Sequence, residues 1–258
     1  MRRRIMAMSF FVILGLMGVV WVANSVAYGH EELLTYTPIF YKFFPLLTVS
    51  SSLAAMFVHF ARKEFEQFKR MFDFIIATLS LILVSPLLLI ISILIKLDSA
   101  GPVFFKQTRM GRKGNIFNMW KFRTMRDKAE IETGPVWADE DDPRTTNLGR
   151  LLRRAHLDEL PQLINVFKGE MSLIGPRPER PELREVINGS IPAFDKRLDV
   201  RPGITGLAQV RYNYGASIKD AARKLKFDLL YIKRMGWALD FQIIFWTLGR
   251  VMTGEGAR

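Results

Sequence analysis

Residues 74–95 read FIIATLSLILVSPLLLIISILI, 22 residues without a charge. As a straight helix this run would extend roughly 33 Å, enough to cross a hydrocarbon core. Its middle carries Ser85-Pro86. Proline removes a backbone hydrogen bond and clashes with the carbonyl four residues back, and an adjacent serine can satisfy the freed group. A kink at mid-membrane depth is therefore expected. Two readings follow: an ordinary kinked span, or a re-entrant helix that leaves on the side it entered. The residues alone favour neither.

Upstream, Phe65, Phe68 and Phe72 recur at helical spacing among charges. That pattern predicts an interfacial amphipathic lead-in, with Lys69 and Arg70 at lipid headgroups. Ile5–Ala23 is a 19-residue uncharged run behind Arg2-Arg3-Arg4. It is long enough for a retained span and longer than the usual core of a signal peptide. Phe43–Phe60 is a further apolar run, interrupted early by Pro45. Glu31, Glu32 and a single lysine, Lys42, lie between these two runs, whereas Arg62, Lys63, Lys69 and Arg70 follow the second. Positive charge prefers the cytoplasm. A transmembrane hairpin is thus expected over residues 1–63, with both ends inside and residues 28–42 outside.

The whole chain has 258 residues, 37 Lys and Arg against 25 Asp and Glu, and 49% hydrophobic residues. This composition excludes disorder and collagen. There is no cysteine, which excludes disulfides, thiolate zinc sites, iron–sulfur clusters and cysteine nucleophiles. The net charge of +12 is uneven: +3 over residues 1–95 and +9 over residues 96–258. A basic surface suits nucleic acid, anionic lipid or phosphorylated substrates. The apolar half favours lipid, and the basic residues are interleaved with acidic ones, which argues against a nucleic-acid partner.

In the basic part, Val103–Phe105 and Ile116–Met125 read as strands around the turn Gly111-Arg112-Lys113-Gly114. Lys121 and Arg123, two apart, share a strand face, either as a solvated edge or as phosphate contacts. Asp139-Glu140-Asp141-Asp142 reads as an acidic loop rather than a metal site. Thr146–Arg154 reads as a helix. Pro161 is tolerated only in a first helical turn, so another helix should start near Asp158. Asp158 or Glu159 at that start would be a cap, or an ionised carboxylate serving as nucleophile or metal ligand. Arg153 and Arg154 lie just upstream. Arg177, between Pro176 and Pro178, has a stiff backbone suited to two-pronged phosphate contact. Arg201–Gly206 reads as a tight turn and Leu225–Met235 as a helix. Trp237–Met252 reads as an apolar helix against the membrane interface. Nucleotide P-loop, dinucleotide and nucleophile-elbow signatures are missing from the sequence.

Several of these motifs together resemble one family. They are Lys69–Asp73, Ser85-Pro86, Lys121–Met125, Asp142–Arg144, Leu157–Leu163, Gly169–Pro178 and Arg201–Gly206. In this order they are similar to the bacterial sugar transferases, the monotopic phosphoglycosyl transferases, over roughly residues 64–250. The resemblance implies an α+β membrane protein with a re-entrant helix broken at Ser85-Pro86 over residues 64–96. It also implies a small cytosolic catalytic domain over residues 97–258, on the cytoplasmic face of the bacterial inner membrane. The implied reaction moves a sugar 1-phosphate from a UDP-sugar to undecaprenyl phosphate with Mg²⁺, releasing UMP and initiating exopolysaccharide, capsule or O-antigen assembly. Asp158 matches the nucleophile and Glu159 its partner carboxylate, both near the metal. Arg153 and Arg177 match phosphate-binding arginines, with Lys121 and Arg123 as further phosphate contacts. Membrane lipids are the implied surroundings, and a homodimer stays open. One departure is Arg211-Tyr212-Asn213-Tyr214 where short members continue Asn-Gly-Arg-Asn, so a donor contact from that later arginine has no placed counterpart. The other is the single hairpin over residues 1–63.

Overall fold

The computed structural model describes residues 37–127, 129, 142–191, 193–212 and 217–253, with side chains from Lys63 on, Met252 excepted. The chain divides into two units, Met1–Phe68 and Lys69–Arg258. Of the first unit, helix is described from Thr37 onward; the expected span over Ile5–Ala23 and its outer linker lie outside the described residues. Helix α1, Thr37–Asp98, is helical at every position, through Pro45 and through Ser85-Pro86. The expected interruption at Ser85-Pro86 is therefore not a loss of helix. Ser85 Oγ donates to Ile82 O at 2.8 Å, in the turn that proline weakens. Lys63–Asp98 is long and apolar enough to cross a membrane by length and composition.

The second unit is a mixed helix and strand fold. Strand β1 (Phe104–Met110) pairs antiparallel with β2 (Ile116–Phe122), Phe104 opposite Phe122 and Met110 opposite Ile116. The connecting turn, Arg112–Gly114, places Lys113 in the left-handed region at φ 57°. Alternation along β2 buries Phe117 and Met119 on one face, while Phe122 is buried on the other, against Ile91, Ile95 and Leu152. Helix α2 (Asn147–Arg154) is capped by the Thr146 hydroxyl, which accepts from Gly149 N. A 3-10 turn, Leu157–Glu159, precedes α3 (Gln162–Lys168). Strand β3 (Ser172–Ile174) pairs parallel with β4 (Gly203–Thr205). The Arg201–Gly206 segment is thus half strand rather than a turn throughout. Gly203 is required there: a Cβ would lie 2.1 Å from Gly175 N, so the two backbones touch.

Helix α4 (Pro181–Ser190), the 3-10 segment Phe194–Asp199 and α5 (Leu207–Arg211) lead to α6 (Ile218–Arg234). A capping box between Ser217 and Asp220 starts α6 earlier than expected. Helix α7 (Trp237–Thr253) closes the order. Ile174, Val200, Leu207, Tyr231, Ile232 and Ile243 form the largest core. Two smaller cores hold α1. Ala77 packs with Phe117, Met119, Val166 and Met171, and Ile91 and Ile95 pack with Phe122 and Leu152. Between these anchors Leu79, Ile82, Leu83, Leu87, Leu89 and Ile90 are exposed.

Candidate active site

The site is assembled on β2 and on the stretch from α2 to α3. Thr124, just after β2, is covered by α2: Thr146 N donates to Thr124 O at 3.0 Å, and a Cβ on Gly149 would fall 2.0 Å from that oxygen. Only glycine permits this approach. One turn further along α2, Arg153 Nε donates to Thr124 Oγ1 at 2.9 Å. His156 then turns the chain at φ 55°, a costly conformation for a non-glycine residue. Asp158 and Glu159 follow on the 3-10 turn, ahead of α3 and not at its start, because Pro161 occupies the N-cap position. Neither acid caps a helix; their partners are cations.

Lys121 Nζ lies 2.7 Å from Glu159 Oε1 and 3.9 Å from Asp158 Oδ2. Arg177 grips Glu159 with both terminal nitrogens, Nη1 to Oε2 at 3.3 Å and Nη2 to Oε1. Burial opposes the charge on Glu159, but Arg177 and then Lys121 outweigh it and hold its carboxyl well below the usual range. Burial pushes the Asp158 carboxyl up, opposed first by Lys121 and reinforced by Glu159. Arg153 faces Asp158 too, its own charge disfavoured by burial. The pair is thus asymmetric. Glu159 is a firmly anionic anchor for two cations, whereas Asp158 is the more basic oxygen donor, buried but less fully paired.

The structure brings together Asp158, Glu159, Lys121, Arg153 and Arg177. It does not bring Arg123 to them. Arg123 is buried, and its Nη2 donates to Ser99 O at 2.7 Å and Ser99 Oγ at 2.9 Å, capping the end of α1. Lys121 points at carboxylates in this arrangement, so it meets a phosphate only beside Glu159. Lys69 and Arg70 also depart from the headgroup expectation. Lys69 is buried against Asp240 at 2.6 Å, and Arg70 donates to the carbonyls of Val166 and Phe167 at 2.7 and 2.8 Å. A buried lysine needs such a partner, and the end of α3 offers carbonyls to a guanidinium. Asp142 pairs with Arg144, and Asp139–Asp141 lie outside the described residues. Sequence reading missed Thr124, Asn165 and the groups behind Arg177. Asn165 is wholly buried, accepts from Trp120 N at 3.0 Å and donates to Asn118 O and Glu170 Oε2. It ties α3 to the strand that carries Lys121.

Chemically, adjacent carboxylates surrounded by one lysine and two arginines suit an anionic electrophile. The bacterial sugar transferase family pattern matches residues 64–254. The chain is 43% identical over 190 residues to the UDP-N-acetylgalactosamine-undecaprenyl-phosphate N-acetylgalactosaminephosphotransferase of Aeromonas hydrophila, covering 74% of this chain and 45% of that one. It is 40% identical over 191 residues to the UDP-glucose:undecaprenyl-phosphate glucose-1-phosphate transferase of Escherichia coli (strain K12), covering 73% and 41%. It is 39% identical over 194 residues to the exopolysaccharide production protein PSS of Rhizobium leguminosarum bv. phaseoli, covering 73% and 97%. The chain thus spans under half the length of the first two relatives and nearly all of the third. On the extent of these matches, the chain belongs to the bacterial sugar transferase family.

Proposed function

We propose that the chain transfers a sugar 1-phosphate from a UDP-sugar to undecaprenyl phosphate, releasing UMP and starting a surface polysaccharide. The observation that carries this reading is the Asp158–Glu159 pair held by Lys121 and Arg177 with Arg153 opposite. An Asp158 oxygen attacks the phosphorus that bears the sugar, and the bond from that phosphorus to the UMP oxygen breaks. The sugar phosphate is left on Asp158 as an acyl phosphate. An oxygen of the lipid phosphate then attacks the same phosphorus, and the Asp158 carboxylate leaves. Burial makes Asp158 more basic than an ordinary aspartate, which strengthens its attack while it is ionised. Arg153 and Arg177 balance the charge on the diphosphate, and Glu159 keeps Lys121 and Arg177 in place between turnovers.

Mg²⁺ belongs to this proposal. Among the described residues no group of three or more acidic or histidine side chains gathers. Magnesium ordinarily takes one or two carboxylates plus substrate phosphates, so the oxygen donors Asp158 and Glu159 fit that need. Bound there, it would neutralise charge on the diphosphate.

We place the catalytic unit on the cytoplasmic face of the inner membrane, with Phe74–Ile95 re-entrant. Ala77 and Ile95 are about 27 Å apart along a straight helix, close to a full hydrocarbon thickness. Yet both pack into the same unit as the site, while Leu79–Ile90 stay largely exposed. A span between those anchors would bury part of the β1–β2 layer in lipid. On α7, Phe241, Phe245 and Leu248 are exposed at helical spacing, which suits an interfacial helix. The test is UMP release by membranes bearing the full chain, supplied with undecaprenyl phosphate and either UDP-glucose or UDP-N-acetylgalactosamine. Release that depends on Asp158 supports the reading; no release from either donor, or equal release by Asp158→Asn, refutes it for these donors.

A further inference from the structure

The segment Pro176-Arg177-Pro178-Glu179 is held in an unusual way. Each of its four carbonyls accepts from a separate donor. Gly203 N donates to Pro176 O at 2.9 Å and Met110 N to Glu179 O at 2.9 Å. The two carbonyls between them are served by side chains. Arg197 Nη2 donates to Arg177 O at 2.6 Å, and Arg109 Nη1 donates to Pro178 O at 2.8 Å. Both prolines lack a backbone donor and have a fixed φ. The peptide on either side of Arg177 is therefore clamped from β1, from β4 and from the Phe194–Asp199 segment at once.

The two guanidiniums are themselves fixed. Arg197 is 7% exposed and stacks on Phe194 at 4.8 Å. It lies 2.9 Å from Asp228 Oδ2, off the N–H axis, and 3.5 Å from Glu179. Arg109 also donates to Gln107 Oε1, at 3.0 Å through Nε. Burial, with Arg177 next among the causes, pulls the Arg109 guanidinium down to about 10. Placing two more cations beside Arg177 works against local electrostatics. A simple need for charge at the substrate would be met by side chains aimed at it. These two are aimed at backbone oxygens.

We propose that Arg109 and Arg197 are positioning residues: by holding the Pro178 and Arg177 carbonyls they aim the Arg177 guanidinium for two-pronged contact with the donor diphosphate. This rests on the phosphate-binding role proposed for Arg177. The pair does not touch the reacting atoms. It fixes the backbone from which Arg177 projects, while the Glu159 carboxylate holds the fork itself until substrate arrives.

The test is a pair of double-mutant cycles in the detergent-solubilised full chain, Arg197→Lys with Arg177→Ala and Arg109→Lys with Arg177→Ala. Each lysine keeps the positive charge but lacks the planar fork. UDP affinity is the binding probe, and UMP release from the active donor is the turnover readout. Each lysine variant should weaken UDP binding roughly ten-fold in the native background and under two-fold when Arg177 is already alanine. A merely structural role would give equal losses in both backgrounds, and such additivity overturns the proposal. If Arg197→Lys fails to fold against Asp228, the Arg109 cycle decides alone. Coupled binding without UMP release would refute the proposed reaction and leave the positioning role standing. Release with additive cycles would do the reverse. No UDP binding by the native chain overturns both roles of Arg177.

Discussion

Replacing Lys121 by methionine removes one charge from the acid pair while nearly keeping the side chain's length. Lys121 lies 2.7 Å from Glu159 and 3.9 Å from Asp158, and its side chain and that of Glu159 are each 17% exposed. A charge-assisted hydrogen bond of this kind contributes about 1.5–3 kcal/mol. Arg177 keeps Glu159 paired in the variant, so the lower part of that range, about 1.5–2 kcal/mol, is expected. For a unit of this size that corresponds to a Tm fall of roughly 3–8 °C. The catalytic effect has a different signature. Burial already raises the Asp158 carboxyl, and Lys121 is the largest opposing influence. Without Lys121 that carboxyl rises further, so a higher pH is needed to ionise it. The acid limb of the pH profile of UMP release should move to higher pH, with the loss of rate largest at low pH. The assay is that profile for both proteins, with thermal melts in the same detergent. A lower Tm with an unmoved acid limb would refute the reasoning, because Asp158 ionisation would then not govern the limb.

Gly149→Ala should cost about 1–3 kcal/mol or more, since its Cβ would meet Thr124 O at 2.0 Å, and activity should fall because α2 carries Arg153; an unchanged melt would contradict that packing. Asp228 is pushed up to about 6 by burial, against an unperturbed 3.8. A carboxyl raised in the folded state favours folding most fully below its unfolded value and loses that contribution as pH rises through its folded value. Between about pH 4 and 6 the native chain should therefore lose stability relative to Asp228→Asn, by about 3 kcal/mol at most; parallel melting curves across that window would show otherwise. Because the chain has no cysteine, a single cysteine at the exposed Glu182 reports topology. In right-side-out cells it should stay protected from membrane-impermeant reagents, and the Ser85→Leu, Pro86→Ala double variant should expose it. Protection in the double variant as well would mean that Ser85-Pro86 does not decide the topology.

The local features were readable before the fold was known. The β1–β2 hairpin shows as two apolar stretches around a Gly-x-x-Gly turn, although β1 runs on to Met110 past the expected Phe105 and β2 stops at Phe122 short of Met125, and α2 shows as a helix over Thr146–Arg154. The acid pair and Arg177 stand out by type and by their proline neighbours. What sequence hides is the partner of a charge. Lys69 looks like a headgroup contact until Asp240, 171 residues away, is found beside it. Arg123 looks like the twin of Lys121 because strand alternation puts them on one face. Beyond the end of β2, however, the backbone turns Arg123 toward the end of α1. Proline at 161 gave a helix start near Asp158, but a 3-10 turn intervenes and detaches the acids from α3. Strand β4 escaped notice since three residues pairing with a distant β3 leave no periodic signal.

The central claim is that Asp158 takes the sugar phosphate. Incubating the full chain with an active UDP-sugar and no undecaprenyl phosphate, then measuring UMP and intact mass together, tests it most directly. The account predicts one UMP per active site in a burst, a mass gain of one sugar phosphate mapped to the peptide containing Asp158, and loss of both in a folded Asp158→Asn. UMP that appears only when lipid phosphate is added, or an adduct that persists in Asp158→Asn, would contradict it. In the first case a single displacement by the lipid phosphate would account for the reaction, with Asp158 reduced to a charged neighbour of Lys121 and Arg153.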